Sequence, residues 1–250
     1  MRYAVRRIRL WTLLGVFTGT MLCIVGSHVI RNITRVHTYT LHADPLFSDT
    51  LRAVIEQSIA NVPLHSSLGD YAQHLAVLQA EHISIASYVI TVQIPHSAQL
   101  HIYAHRPCLV VNETYCITEE DTAYACADMR TSVLETLPTL TVHDYQHENQ
   151  ELNRQLVSWI KVLPQSLLRD YQLLWRSTTE RYIQSKGALP SYTIVCADVP
   201  LTESLLDACL QSMRQQQKIT SSTAYHWTAD VRFAHQIIVK KEPIRKIMEG

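Results

Sequence analysis

Residues 229–240 read Ala229-Asp230-Val231-Arg232-Phe233-Ala234-His235-Gln236-Ile237-Ile238-Val239-Lys240, and this is the stretch on which the fold turns. Val231, Phe233, His235, Ile237 and Val239 recur at every second position, the period of a β-strand with one face buried. Asp230 and Arg232 fall on the other side, where an ion pair is expected to be structural. Tyr225 and Trp227 lie just upstream, with His226 between them at the surface or sheet edge. Such a strand at a sheet edge offers unpaired N–H and C=O groups, to which a partner can add a strand.

Moving outward, Thr202 is an N-cap for a helix through about residue 217 that buries Leu205, Leu206, Cys209 and Met213. Strand-like runs precede it at 171–177, 180–184 and 192–197. Residues 149–162 read as a helix, because Leu152, Leu156, Trp159 and Ile160 repeat at helical spacing. Leu137-Pro138-Thr139-Leu140 is a short apolar turn. Two short strands, 109–111 and 115–118, flank an Asn112-Glu113 turn.

The earlier portion closes at Arg106-Pro107 and reads β-α-α-β-β. Residues 36–41 alternate as a strand. Ser48 then caps a helix to about residue 60, with Leu51, Val54, Ile55 and Ile59 on one face. A second amphipathic stretch at 68–80 carries Leu68, Tyr71, Ala72, Leu75 and Leu78. One strand follows with Ile83, Ile85, Ser87, Val89 and Thr91, and another with Leu100, Ile102 and Ala104.

Residues 10–30 contain no Asp, Glu, Lys or Arg. As a helix they would span about 30 Å, the thickness of a hydrocarbon core. Arg2, Arg6, Arg7 and Arg9 precede the run, which places the N-terminus in the cytoplasm and the bulk outside. No small-x-small pattern closes the run, so an anchor is expected instead of a cleaved leader. The domain expectation is a cytoplasmic tail at 1–9, a transmembrane helix at 10–30, domains at 31–107 and 108–241, and a tail at 242–250.

Lys+Arg and Asp+Glu balance at 22 each, so no global field recruits nucleic acid. Six glycines and 18% charged residues argue against a disordered exterior. Beyond Cys23, the five cysteines Cys108, Cys116, Cys126, Cys196 and Cys209 form no CxxC pair. Five is an odd number, and Cys108 with Cys116 is a pair that paired strands would let approach.

The order of elements resembles the FtsQ/DivIB family of bacterial cell-division proteins. The motifs that carry the likeness are Leu100-His-Ile-Tyr-Ala-His-Arg106-Pro107, Val110-Val-Asn-Glu-Thr-Tyr-Cys-Ile-Thr118, Leu137-Pro138-Thr139-Leu140 and Ala229-Asp230-Val231-Arg232-Phe233. The resemblance implies an α+β fold: a transmembrane helix, a POTRA-like domain at 31–107, then an FtsQ-type β domain at 108–241 built on an antiparallel sheet. It implies a non-enzymatic scaffold at the division septum, in the bacterial inner membrane. Its partners would be small FtsB- and FtsL-like coiled-coil membrane proteins, with no cofactor, nucleic acid or small-molecule substrate. Carried onto this sequence, the partner-binding residues are Tyr225, Trp227, Val231, Phe233 and Ile237; the bland reading makes Val231, Phe233 and Ile237 the core face of their strand. The POTRA-like part is a second docking surface.

No GxSxG, Walker loop, HExxH or GxGxxG is present. His101 and His105 lie on an expected strand, about 13 Å apart, and cannot share a metal. His143 and His147 fall in a turn-like stretch beside Asp144 and Glu148, and read as solvated loop histidines. The competing functions are an extracytoplasmic POTRA-bearing adaptor unrelated to division and a membrane-tethered hydrolase using Cys and His. A eukaryotic type II membrane protein, using the sequons at Asn32 and Asn112, is a third.

Overall fold

The computed structural model describes residues 35–93, 96–186, 192–197, 201–220, 225–233 and 236–243. The chain divides into two compact units, Met1–Ala104 and His105–Gly250.

In the first unit the elements run β1 (Thr38–Ala43), α1 (Asp49–Ala60), α2 (Leu68–Glu81), β2 (Ile85–Gln93) and β3 (Ser97–Ala104). The sheet order is β1-β3-β2. β1 runs parallel to β3, pairing Leu41 with Leu100, and β2 is antiparallel to β3. The parallel pair needs a crossover, and the two helices supply it. Ser48 Oγ accepts from the Leu51 amide at 3.2 Å, which starts α1. A capping box starts α2: the Asp70 amide donates to Ser67 Oγ, and Ser67 N–H donates to the Asp70 carboxylate at 2.8 Å. Leu51, Ile55, Ile59, Tyr71, Leu75 and Leu78 of the helices and Ala98, Leu100 and Ile102 of β3 are all buried. The Asp44 carboxylate accepts from Leu46 N–H and Ala104 N–H, which ties the end of β1 to the end of β3.

The second unit contains β4 (Pro107–Val111), β5 (Tyr115–Thr118), β6 (Ala123–Ala125), a 3-10 turn (Cys126–Asp128), α3 (Thr131–Leu134) and β7 (Thr139–Val142). It continues with α4 (Gln150–Val162), α5 (Gln165–Asp170), β8 (Tyr171–Ser177), β9 (Glu180–Ser185), β10 (Tyr192–Cys196), α6 (Glu203–Thr220), β11 (Tyr225–Asp230) and β12 (Ile238–Pro243). Among the described residues nine strands form one sheet in the order β12-β11-β10-β9-β8-β7-β4-β5-β6. Asn149 caps α4 through the Leu152 amide, and Leu156, Val157, Trp159 and Ile160 bury its inner face. They pack with the inward row Leu109, Val111, Leu140, Val142, Leu173, Trp175 and Ile183. Leu206, Cys209 and Met213 of α6 complete that core beside Ile194, Trp227 and Ala229.

Three expectations are corrected. Among the described residues no helix is long and apolar enough to cross a membrane, so the fold is α+β with a large mixed sheet and no observed spanning helix. The stretch 10–30, which carried that expectation, lies outside the described residues. The sheet is mixed and not antiparallel: β4 with β7, β7 with β8, and β10 with β11 run parallel. α4 and α5 lie on the connection from β7 to β8, and α6 on that from β10 to β11, the helical crossovers that parallel neighbours require. The single strand expected at 229–240 is two strands. β11 stops at Asp230, and β12 returns antiparallel to it, pairing Thr228 with Lys240 and Asp230 with Ile238.

Candidate functional site

The break between β11 and β12 has a chemical cause. The Asp230 side chain, 5% exposed, accepts from the Arg232 amide at 3.2 Å, from Arg232 Nε at 3.0 Å and from its second guanidinium nitrogen at 2.7 Å. A carboxylate that captures the amide two residues on closes a turn and stops regular pairing. Val231 N–H still reaches the Val195 carbonyl at 2.9 Å, so the ladder to β10 persists for one residue before the chain leaves. The guanidinium holds the Asp230 carboxyl below the usual carboxylate range, against the opposing cost of its burial.

β12 then returns antiparallel along β11 and forms one end of the nine-stranded sheet. Among the described residues no strand pairs with its outer edge. About half of the N–H and C=O groups of an antiparallel edge strand point outward, ready to pair with another chain. Val239 packs toward the core. The Lys241 ammonium sits 5.3 Å from the centre of the Tyr225 ring. Ile238, Lys240 and Glu242 occupy the alternate positions and are exposed. Lysines on an edge discourage indiscriminate pairing. Lys240 and Lys241 were not singled out as site residues, although two adjacent lysines ending an apolar run are a sequence signal for an edge.

The five expected contact residues do not form one patch. Trp227 is 2% exposed and Val231 4% exposed, both inside the core. The Trp227 indole N–H is buried without a hydrogen-bond partner among the described residues. Tyr225 and Ile237 are half-buried against that core. Phe233 is 52% exposed, in the connection that leads to β12. The expectation that Val231 and Phe233 share a face fails because the Asp230 turn intervenes. His226 lies on the face opposite Trp227, with Nε2 2.8 Å from Thr193 Oγ1. Burial pushes its pKa down, partly offset by Glu242.

The other histidine signals do not converge. His143 Nδ1 lies 2.8 Å from the Asp144 carboxylate, both well exposed, at an open groove of about 460 Å³ that Asn112 and Thr141 also line. His147 stacks on Tyr115 with ring centres 4.9 Å apart. His101 stacks on His42 across β1 and β3 at 4.7 Å. Among the described residues no group of His, Cys, Asp or Glu is arranged to hold a metal. Cys108 donates its thiol to the Ile117 carbonyl at 3.4 Å, whereas Cys116 meets Cys126. The pairing weighed for Cys108 and Cys116 is therefore not the one the strands bring together.

No family model matches the chain, and no curated protein matches it in sequence.

Proposed function

We propose that the chain is a non-enzymatic scaffold of the FtsQ/DivIB kind, recruiting small FtsB- and FtsL-like coiled-coil proteins at the bacterial division septum. The observation that carries this reading is the β12 edge: six residues paired on one side to β11, with the other side open among the described residues. Strand addition supplies affinity through main-chain hydrogen bonds, and side chains at alternate positions supply selectivity. On this edge selectivity falls to Ile238, Lys240, Lys241 and Glu242, with Phe233 as an exposed apolar anchor nearby. Trp227 and Val231 act from below, as the packing that keeps β11 and hence β12 in register. In the first unit, β1 and β2 are the edges of the smaller sheet and form the second docking surface.

The test is capture from the native cells. Full-length chain is compared with Phe233→Glu and with a truncation after Ile237, each checked by urea unfolding. Wild type is expected to capture a small coiled-coil protein that the truncation loses. A folded truncation that captures it undiminished refutes the β12 reading. Absence of any coiled-coil partner points instead to an extracytoplasmic adaptor unrelated to division.

A further inference from the structure

Cys116 lies in the middle of β5, and Cys126 begins the 3-10 turn that follows β6. Cross-strand pairing sets Val110, Cys116 and Tyr124 in one row. Alternation turns that row away from Leu109, Val111 and Ile117, whose side chains fill the main core. The row is nevertheless closed over: Val110, Cys116, Tyr124, Cys126 and Met129 are all 5% exposed or less. The Cys126 amide donates to the Thr114 carbonyl at 2.8 Å, which extends the β5–β6 ladder and fixes where Cys126 starts. The two sulfurs then stand 3.0 Å apart. Bond formation needs a further approach of roughly 1 Å.

The geometry points to a Cys116–Cys126 disulfide as the oxidised form of this protein. The reaction removes one hydrogen from each thiol and joins the sulfurs. The two electrons and two protons pass to the disulfide of a thiol–disulfide exchange partner, which leaves as a dithiol. In the reduced pair the two thiols are hydrogen-bonded, and either sulfur can donate. That hydrogen bond pulls the Cys126 pKa down and pushes the Cys116 pKa up, so Cys126 is the readier nucleophile. The bond closes an eleven-residue ring around the β5–β6 hairpin. It braces a three-residue strand, β6, at the end of the sheet opposite β12. The inference stands apart from the scaffold reading, because it concerns the other end of the sheet.

The full chain is refolded with oxidised glutathione, denatured, alkylated and cut after glutamate. Cleavage after Glu113 separates Cys108 from Cys116, and cleavage after Glu119 and Glu120 separates Cys116 from Cys126. A Cys116 peptide linked to a Cys126 peptide, released by reductant, is the expected product. The unfolding equilibrium constant of the oxidised chain should be about a hundredfold lower than that of the reduced chain. In a Cys116→Ala, Cys126→Ala double variant the reductant should leave the urea midpoint unmoved. Recovery of Cys116 and Cys126 as fully alkylated thiols overturns the inference. So does a Cys108–Cys116 linked peptide, or a reductant effect of equal size in the double variant.

Discussion

Asp230 grips Arg232 two residues along its own chain, through both carboxylate oxygens and the Arg232 backbone amide. The grip sits where β11 ends, at the start of the connection that leads to β12. Arg232→Ala is expected to cost about 1–3 kcal/mol, because it strands a buried carboxylate. Urea unfolding measures this. The depressed carboxyl pKa means that the folded state binds its proton less readily than the unfolded chain. The stabilisation is therefore complete above the ordinary carboxylate pKa, and it is lost as pH falls below about 4 toward the folded value. Stability of wild type and Asp230→Asn should converge in that acid range. Parallel curves down to the acid limit would remove the pair from the account.

Asn112 works as a piece of backbone. Its Nδ2 donates to the Val142 carbonyl at 2.9 Å, and its Oδ1 accepts from the Val142 amide at 2.7 Å. It thus prolongs the parallel pairing of β4 with β7 past the end of β4. Its φ of 50° suits asparagine better than most residues. Asn112→Gly relieves the backbone and removes both bonds, and Asn112→Ala removes the bonds and adds strain. Gly should cost about 1–2 kcal/mol and Ala more. Equal losses in urea unfolding would show that the backbone conformation contributes nothing beyond the two bonds.

Arg181 is 6% exposed, with its guanidinium carbon 4.2 Å from the centre of the Trp175 ring and 5.5 Å from that of Trp159. A cation held over two indoles inside the core is worth about 2 kcal/mol or more. Arg181→Ala should lower stability by at least that and shift tryptophan emission to the red as water reaches both rings. Unchanged emission would mean that the rings repack without it.

The Ser67–Asp70 capping box predicts that Ser67→Ala costs about 1 kcal/mol. Thermal unfolding followed by circular dichroism checks this. A variant as stable as wild type would mean that solvent satisfies the first turn of α2 equally well.

Local patterns were the legible part of the chain. Ser48 as a cap, Leu51, Ile55 and Ile59 as a buried helix face, and Leu206, Cys209 and Met213 on α6 all follow from capping chemistry and helical spacing. Val54 was grouped with that first face yet is 39% exposed, because it lies at the margin of the buried stripe. Long-range pairing was not legible. Nothing near residues 139–142 announces that β7 lies parallel to both β4 and β8, since only the crossover decides it. The terminal stretch misled for a related reason. Its alternation is real, but a single Asx-type turn at Asp230 outweighs it and leaves Val231 inside and Phe233 outside. The Cys116–Cys126 contact depends on strand register in the same way.

The most direct test of the scaffold claim is amide hydrogen exchange of β12 in the full chain, alone and with the captured coiled-coil protein. Strand addition predicts that the outward-facing amides among residues 238–242, exchanging freely in the chain alone, become strongly protected in the complex. The amides already bonded to β11 should change little. If the complex forms and the outward amides exchange as fast as before, the partner docks elsewhere and the edge-strand account is wrong.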